Sequence, residues 1–177
     1  VGGLGTGPVG LCTLLAVKAA GPCTAYATDL IDARLDVARR CGADWTGNPR
    51  GRDVVADILQ AEPLGLDFVF ECAGEQETYD QCLELLAPGG TLLAIGIPEA
   101  NEIRFSMDRM RRKELRLQNV RRQNECVADA IAMVADGAIE VEPLATHHFP
   151  LEQTAAAFEL VEGYCDGVVK AIVHVAH

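Results

Sequence analysis

Gly5-Thr6-Gly7-Pro8-Val9-Gly10 decides the fold, because its glycines stand at the first, third and sixth positions of a turn that runs straight into the apolar stretch Pro8 to Ala20. Proline suits the first turn of a helix, where its missing N–H would have no intrahelical partner. The hexapeptide therefore predicts a strand, a tight turn and a helix in direct succession. Gly5 permits the turn, Gly7 lets a ligand approach the backbone, and Gly10 lets the helix pack closely on its strand. Upstream, Gly2 and Gly3 leave only Val1 and Leu4 as apolar residues, so the first strand reads as truncated.

Beyond the turn, short apolar runs alternate with amphipathic stretches, the pattern of βαβ units around a parallel sheet. Cys23 to Thr28, Leu66 to Phe70 and Thr91 to Ile95 read as buried strands. Ile31, Leu35 and Ala38 recur at helical spacing, with Asp32, Arg34, Asp36, Arg39 and Arg40 on the other faces. Further helices are predicted around Val54 to Leu59, around Tyr79, Cys82, Leu83 and Leu86, and around Cys126 to Val134. Asn48-Pro49-Arg50-Gly51, Pro88-Gly89-Gly90 and Asp136-Gly137 fall where elements should end. From about Glu142 the period changes: Leu144 to Pro150, a helix near Glu152 to Val161 and a strand Val168 to Val175 read as part of a neighbouring layer.

The chain has 177 residues, enough for one domain with a sizeable core, and is 49% hydrophobic and 23% charged, which excludes disordered and fibrous classes. A formal charge of -11 disfavours nucleic acid and anionic membranes as partners. The apolar run from Val9 to Ala20 is interrupted by Thr13 and Lys18 and is too short to span a bilayer. Cys12, Cys23, Cys41, Cys72, Cys82, Cys126 and Cys165 form no C-x-x-C pair and read as reduced thiols buried like small hydrophobes, implying a cytoplasmic setting. No signal-peptide pattern precedes the glycine turn and no initiator Met is present, so the chain is expected to be part of a longer one.

The glycine turn gains meaning from Asp29, which closes the second strand roughly twenty residues on, where a carboxylate can accept hydrogen bonds from an adenosine ribose. Free N–H groups at the helix start would face a pyrophosphate. Asp29 would repel a 2'-phosphate, so NAD is expected over NADP. Arg34 has two readings, an arginine packed on adenosine or a solvated helix residue. Glu71 and Asp67 could form a carboxylate pair, but a hydrogen-bonding or strand-end role suits their strand spacing better. His147, His148, His174 and His177 show no zinc-ligand spacing with Cys or carboxylate, so neither a metal site nor a catalytic residue is assigned within this chain.

The runs GTGPVGL, TDL, FVFECAG, PGGTLLAIGIP, RRKELRL, NVRRQN and LATHHFPLEQTAAAF together resemble the zinc-dependent medium-chain dehydrogenase/reductase superfamily, nearest its sorbitol (polyol) dehydrogenase branch. The resemblance covers nearly the whole chain, yet only the nucleotide-binding half of such an enzyme and its C-terminal return. It implies a doubly wound Rossmann sheet of about six strands in the order 3-2-1-4-5-6, with residues 1–141 as the NAD-binding domain and 142–177 as the return segment. The implied cofactor-binding set is Gly5, Gly7, Pro8, Val9, Gly10, Asp29, Leu30, Arg34, the loop Cys72-Ala73-Gly74, Ile95-Gly96-Ile97 beside the nicotinamide, and Arg121 toward the phosphates. Arg121 also reads as a charged edge-strand residue.

Arg122 stands where animal-type polyol dehydrogenases carry a tyrosine. The implied reaction is hydride transfer between an alcohol or polyol and NAD, with zinc held only in the preceding half of the full-length parent. The isolated chain is therefore expected to be inactive. The segment Glu114 to Val120 is expected to be the outer sixth strand and to pair with a second copy, giving a homodimer or homotetramer, with Ile103 to Met110 adding apolar contact. Two other classes also accommodate the residues: a non-catalytic NAD-binding or assembly module, and an S-adenosylmethionine-dependent methyltransferase.

Overall fold

A computed structural model describes residues 1–121 and 125–175; Arg122 and His177 lie outside the described residues. The glycine turn does what its sequence predicts. It joins β1 (Gly2–Leu4) to α1 (Pro8–Ala20), whose cap is Gly7 and whose first residue is Pro8. Then follow β2 (Tyr26–Thr28), α2 (Asp32–Arg40), β3 (Trp45–Gly47), α3 (Val54–Ala61), β4 (Leu66–Glu71), α4 (Gln76–Leu85), β5 (Leu86–Ala94), α5 (Met107–Arg112) and β6 (Arg116–Asn119). The six strands form one parallel sheet in the order β3-β2-β1-β4-β5-β6, a doubly wound Rossmann arrangement.

Helices cover both faces, as a parallel sheet requires. On one, Ile58 of α3 and Tyr79, Cys82, Leu83 and Leu85 of α4 bury against Leu4, Leu66, Val69 and Leu92. On the other, Leu11 of α1 and Val37 and Ala38 of α2 pack over Ala27. Local chemistry fixes the helix ends. Asp53 caps α3 by accepting from the N–H of Ala56 at 3.0 Å, and the Lys113 ammonium donates to the carbonyls of Leu83, Glu84 and Leu86 at 2.7 to 3.0 Å where α4 ends.

Several boundaries differ from expectation. β2 starts at Tyr26, paired with Gly2, rather than at Cys23. Leu86 leaves the α4 pattern and begins β5, which runs through Pro88-Gly89-Gly90 instead of ending there; a register shift between Leu66 and Phe68 absorbs that segment. Only Cys41 and Cys82 are buried, while Cys12, Cys126 and Cys165 are exposed and Cys23 and Cys72 are half-buried, because the amphipathic helices present several of these positions outward. All seven are free thiols.

β6 is the outer strand, with all four of its residues exposed. The preceding stretch packs largely inward: Phe105 sets its edge on Tyr79 at 5.6 Å between ring centroids, and Ile103 and Met110 lean on the core, leaving Met107 exposed. α6 (Val127–Ala135) forms as expected but buries none of its residues. The C-terminal segment makes a separate two-stranded parallel sheet from β7 (Ala145–Pro150) and β8 (Lys170–His174), connected through α7 (Thr154–Glu162). It joins the α1–α2 layer, where Leu144 and Val169 bury beside Leu11 and Val37. Among the described residues, no helix is long and apolar enough to cross a membrane.

The two strand glycines differ in their surroundings. A Cβ on Gly2 would sit 2.9 Å from the Leu66 Cδ1, which fills its place, whereas a Cβ on Gly3 would have its nearest neighbour, the Tyr26 carbonyl, at 3.9 Å. Gly3 borders a small cavity of about 20 Å³ under α1, shared with Thr13, Leu14, Val17 and Phe70. Gly3→Ala should therefore raise stability by about 0.5–1 kcal/mol, through lost freedom of the unfolded chain, read as a higher urea midpoint. A lower midpoint would show that β1 and α1 already fill that space.

Candidate functional site

The strand order reverses between β1 and β4, and the carboxyl ends of the strands at such a reversal open onto a crevice. Three loops meet there through glycines. Gly5 has φ +92°, and a Cβ on it would lie 3.0 Å from the N of Ala73 in the loop after β4. Gly74, at φ +84°, would strike the carbonyl of Ile97 in the loop after β5 at 2.7 Å. On α1, a Cβ at Gly10 would come within 1.8 Å of the Gly5 carbonyl oxygen. Gly10 thus packs the helix onto the turn itself, not only onto the strand.

Gly7 is open by contrast: the nearest atom to an added Cβ is Nη1 of Arg34, at 3.6 Å. Leu11 begins the helical ladder by donating to the Gly7 carbonyl at 2.9 Å, and the N–H groups of Gly7, Val9 and Gly10 have no acceptor among the described residues. Pro8 contributes none. Three free donors beside an uncrowded glycine at a helix start form a cradle for an anion. Val9 and Leu30 are half exposed at its rim.

Asp29 lies next to that cradle and is already engaged. Its Oδ2 accepts from the N–H of Thr6 at 2.6 Å and from the Thr6 hydroxyl at 3.0 Å, and its Oδ1 accepts from the N–H of Ile31 at 2.9 Å. Arg34 is half-buried rather than a solvated helix residue. Its Nε and Nη2 donate to the carbonyl of Val168 at 3.1 and 3.0 Å, and its guanidinium lies 5.1 Å over the Tyr164 ring. The free geometry of its side chain is spent on the C-terminal segment, while Nη1 stays beside Gly7.

Glu71, at the end of β4, organises the opposite side. It is fully buried, and its Oε1 accepts from the N–H groups of Ala73 and Gly74 at 2.9 and 2.7 Å and from the Thr78 hydroxyl at 2.8 Å. Its backbone carbonyl accepts from Ile95 and Gly96 at 2.9 and 2.8 Å. Oε2 has no partner among the described residues, and a Cβ on Gly96 would fall 2.7 Å from it. Burial, then the Glu71 charge, push the Tyr79 phenol up to about 12. Asp67 is exposed and makes no pair with Glu71, so the hydrogen-bonding reading of Glu71 holds.

Ile97 projects into solvent at 87% exposure, and Arg121 is exposed just beyond β6. The histidines lie elsewhere, on the β7–β8 sheet: His148 Nδ1 is 2.9 Å from His174 Nε2, and His147 meets Asp166 at 3.3 Å. Among the described residues, no group of three His, Cys, Asp or Glu side chains could hold a metal ion. The sequence reading omitted Thr6 and Thr78, whose only signal was a polar residue at an otherwise closely packed position.

Comparison with known proteins agrees with this geometry. Residues 8–136 match the zinc-binding dehydrogenase family. Sorbitol dehydrogenase of Bacillus subtilis (strain 168) is 30% identical over 172 residues, covering 97% of this chain and 49% of that protein. Alcohol dehydrogenase TADH from Thermus sp. ATN1 superposes with a TM-score of 0.90 at 27% identity, covering 99% of this chain and 50% of the other. A structure from Sinorhizobium meliloti 1021, assigned to the zinc-binding dehydrogenases and bound to NADP, gives a TM-score of 0.89 at 28% identity over 98% of this chain and 52% of that one. The chain spans about half the length of the relatives it matches.

Cys72 borders the same loops, and its reactivity follows from its surroundings. Burial, with the Glu71 charge adding, pushes its thiol up to about 12, so near neutral pH it stays protonated and a poor nucleophile. At pH 8, iodoacetamide should alkylate the exposed Cys126 and Cys165 at least about a hundredfold faster than Cys72, measured by peptide mapping. Equal labelling of Cys72 would mean that its loop opens in solution.

Proposed function

This chain belongs to the zinc-binding dehydrogenase family of the medium-chain superfamily, and from that premise we propose that it is the NAD-binding half of an alcohol or polyol dehydrogenase. One observation carries the proposal: three N–H groups at the start of α1, without a partner among the described residues and beside the Arg34 guanidinium at Gly7, stand next to a carboxylate at the end of β2. That constellation suits a pyrophosphate flanked by an adenosine ribose. In this reading Gly5, Gly7, Pro8, Val9, Gly10, Asp29, Leu30 and Arg34 serve the adenosine and pyrophosphate. The loops Cys72-Ala73-Gly74 and Ile95-Gly96-Ile97, clamped together by Glu71, border the nicotinamide, and Arg121 reaches toward the phosphates.

Bound NAD would supply the acceptor for a hydride leaving an alcohol carbon. What this chain's own residues do is bind and orient. The α1 donors neutralise the pyrophosphate, Asp29 grips the ribose, and Glu71 holds the two loops at the nicotinamide end in register. We assign the family's zinc to the half of the relatives that this chain does not match, since no ligand set occurs among the described residues. We further propose residues 1–141 as the nucleotide-binding unit and 142–177 as a segment returning to that other half. The exposed outer edge of β6 would pair two copies into a dimer or tetramer, and the seven free thiols fit a reducing, cytoplasmic setting.

The choice of NAD over NADP rests on Asp29. Asp29→Ala removes the ribose acceptor and the repulsion of a 2'-phosphate together, so the preference for NAD should fall by about one to two orders of magnitude, near 1.4 kcal/mol per tenfold step. Titration of both cofactors against both proteins by calorimetry measures it. An unchanged preference would take Asp29 out of the site.

A further inference from the structure

We infer that Thr6 is a positioning residue that determines nucleotide specificity, acting through Asp29; the inference rests on the dinucleotide reading above. A carboxylate has about four lone-pair sites, two on each oxygen. Oδ2 of Asp29 is filled by the Thr6 N–H and the Thr6 hydroxyl, and Oδ1 holds one donor, the N–H of Ile31. A single acceptor site therefore remains, on Oδ1. The carboxylate can meet only one of the two vicinal ribose hydroxyls squarely, and Thr6 decides which oxygen is presented.

Thr6 is itself 2% exposed, wedged between Gly5, whose N–H donates to the Thr28 carbonyl at 2.9 Å, and open Gly7. It cannot touch the cofactor through its side chain, because that side chain is turned away into the Asp29 contact. Its effect on binding must pass through the carboxylate. Without the hydroxyl, Asp29 keeps its charge and its contacts to the Thr6 and Ile31 N–H groups but loses the second donor on Oδ2, so that oxygen is held less firmly against the ribose. Discrimination between a ribose hydroxyl and a 2'-phosphate then falls, because it depends on where the negative charge is held.

The test is a three-protein titration of the unmodified chain, Thr6→Val and Thr6→Ser with NAD, NADP and nicotinamide mononucleotide. Valine keeps the shape without the hydroxyl, and serine restores the hydroxyl. Thr6→Val should lower the NAD-to-NADP preference about tenfold and Thr6→Ser should recover it to within about twofold, with nicotinamide mononucleotide binding unchanged throughout. Equal weakening of NAD and NADP in Thr6→Val, or an unaltered ratio, would overturn the inference by showing a merely structural role.

Failure of the unmodified chain to bind either dinucleotide, or its binding both equally, would instead overturn the reading on which the inference rests. Should Thr6→Val not fold, hydrogen exchange of the Thr6 amide in the unmodified chain decides. The inference requires that amide to stay protected both without and with NAD, and loss of protection on adding NAD would overturn it.

Discussion

Everything at this end of the molecule depends on how closely α1 approaches the turn that feeds it. The space between Gly10 and the Gly5 carbonyl is too small for a single methyl group, since a Cβ would stand 1.8 Å from the oxygen. That closeness places the helix start across the end of β1 at the strand reversal, where only the Arg34 guanidinium, 3.6 Å from an added Cβ, borders Gly7. The same closeness presses the turn on the loop after β4, through Gly5 and Ala73, and that loop on the one after β5, through Gly74 and Ile97. Three loops from three strands are thereby held at fixed separations by absent side chains.

Two carboxylates complete the arrangement. Where strands end, backbone N–H groups lose their ladder partners and need acceptors. Asp29 takes those of Thr6 and Ile31, and Glu71 takes those of Ala73 and Gly74. Hydrogen bonds to a charged acceptor are each worth about 1.5–3 kcal/mol, enough to order short loops that bury little apolar surface. Among the described residues, the N–H groups of Gly7, Val9 and Gly10 at the start of α1 have no such acceptor. Satisfying the donors of Thr6, Ile31, Ala73 and Gly74 while those of Gly7, Val9 and Gly10 stay without an acceptor among the described residues is how the fold turns a helix terminus into a candidate binding site.

Much of this was legible in the amino-acid order, because glycine spacing, a helix-starting proline and a strand-ending aspartate each carry a steric or electrostatic meaning of their own. The sheet order and the outer position of Arg116 to Asn119 came instead from the resemblance to the medium-chain superfamily, and the strand pairing agrees with both. β3 was not recognised, since Trp45–Gly47 is three residues long and has no alternation to read. Leu86 was misplaced because an apolar residue at helical spacing looks the same whether it ends a helix or begins the next strand. The contact of Arg34 with the C-terminal segment was not read: its partner Val168 is 134 residues away in the chain, and nothing local announces such a contact. Thr6 escaped because its role lies in a pairing with Asp29 that exists only after β1 and β2 are side by side.

The central claim is that the unpartnered N–H groups at the start of α1 receive the cofactor's pyrophosphate. Amide chemical shifts of the isotopically labelled chain, followed during titration with NAD, test it directly. The account predicts that Gly7, Val9 and Gly10 show the largest saturable shifts, while the amides of β7 and β8 remain unmoved. Saturable binding that leaves those three amides unperturbed and shifts residues elsewhere would contradict it.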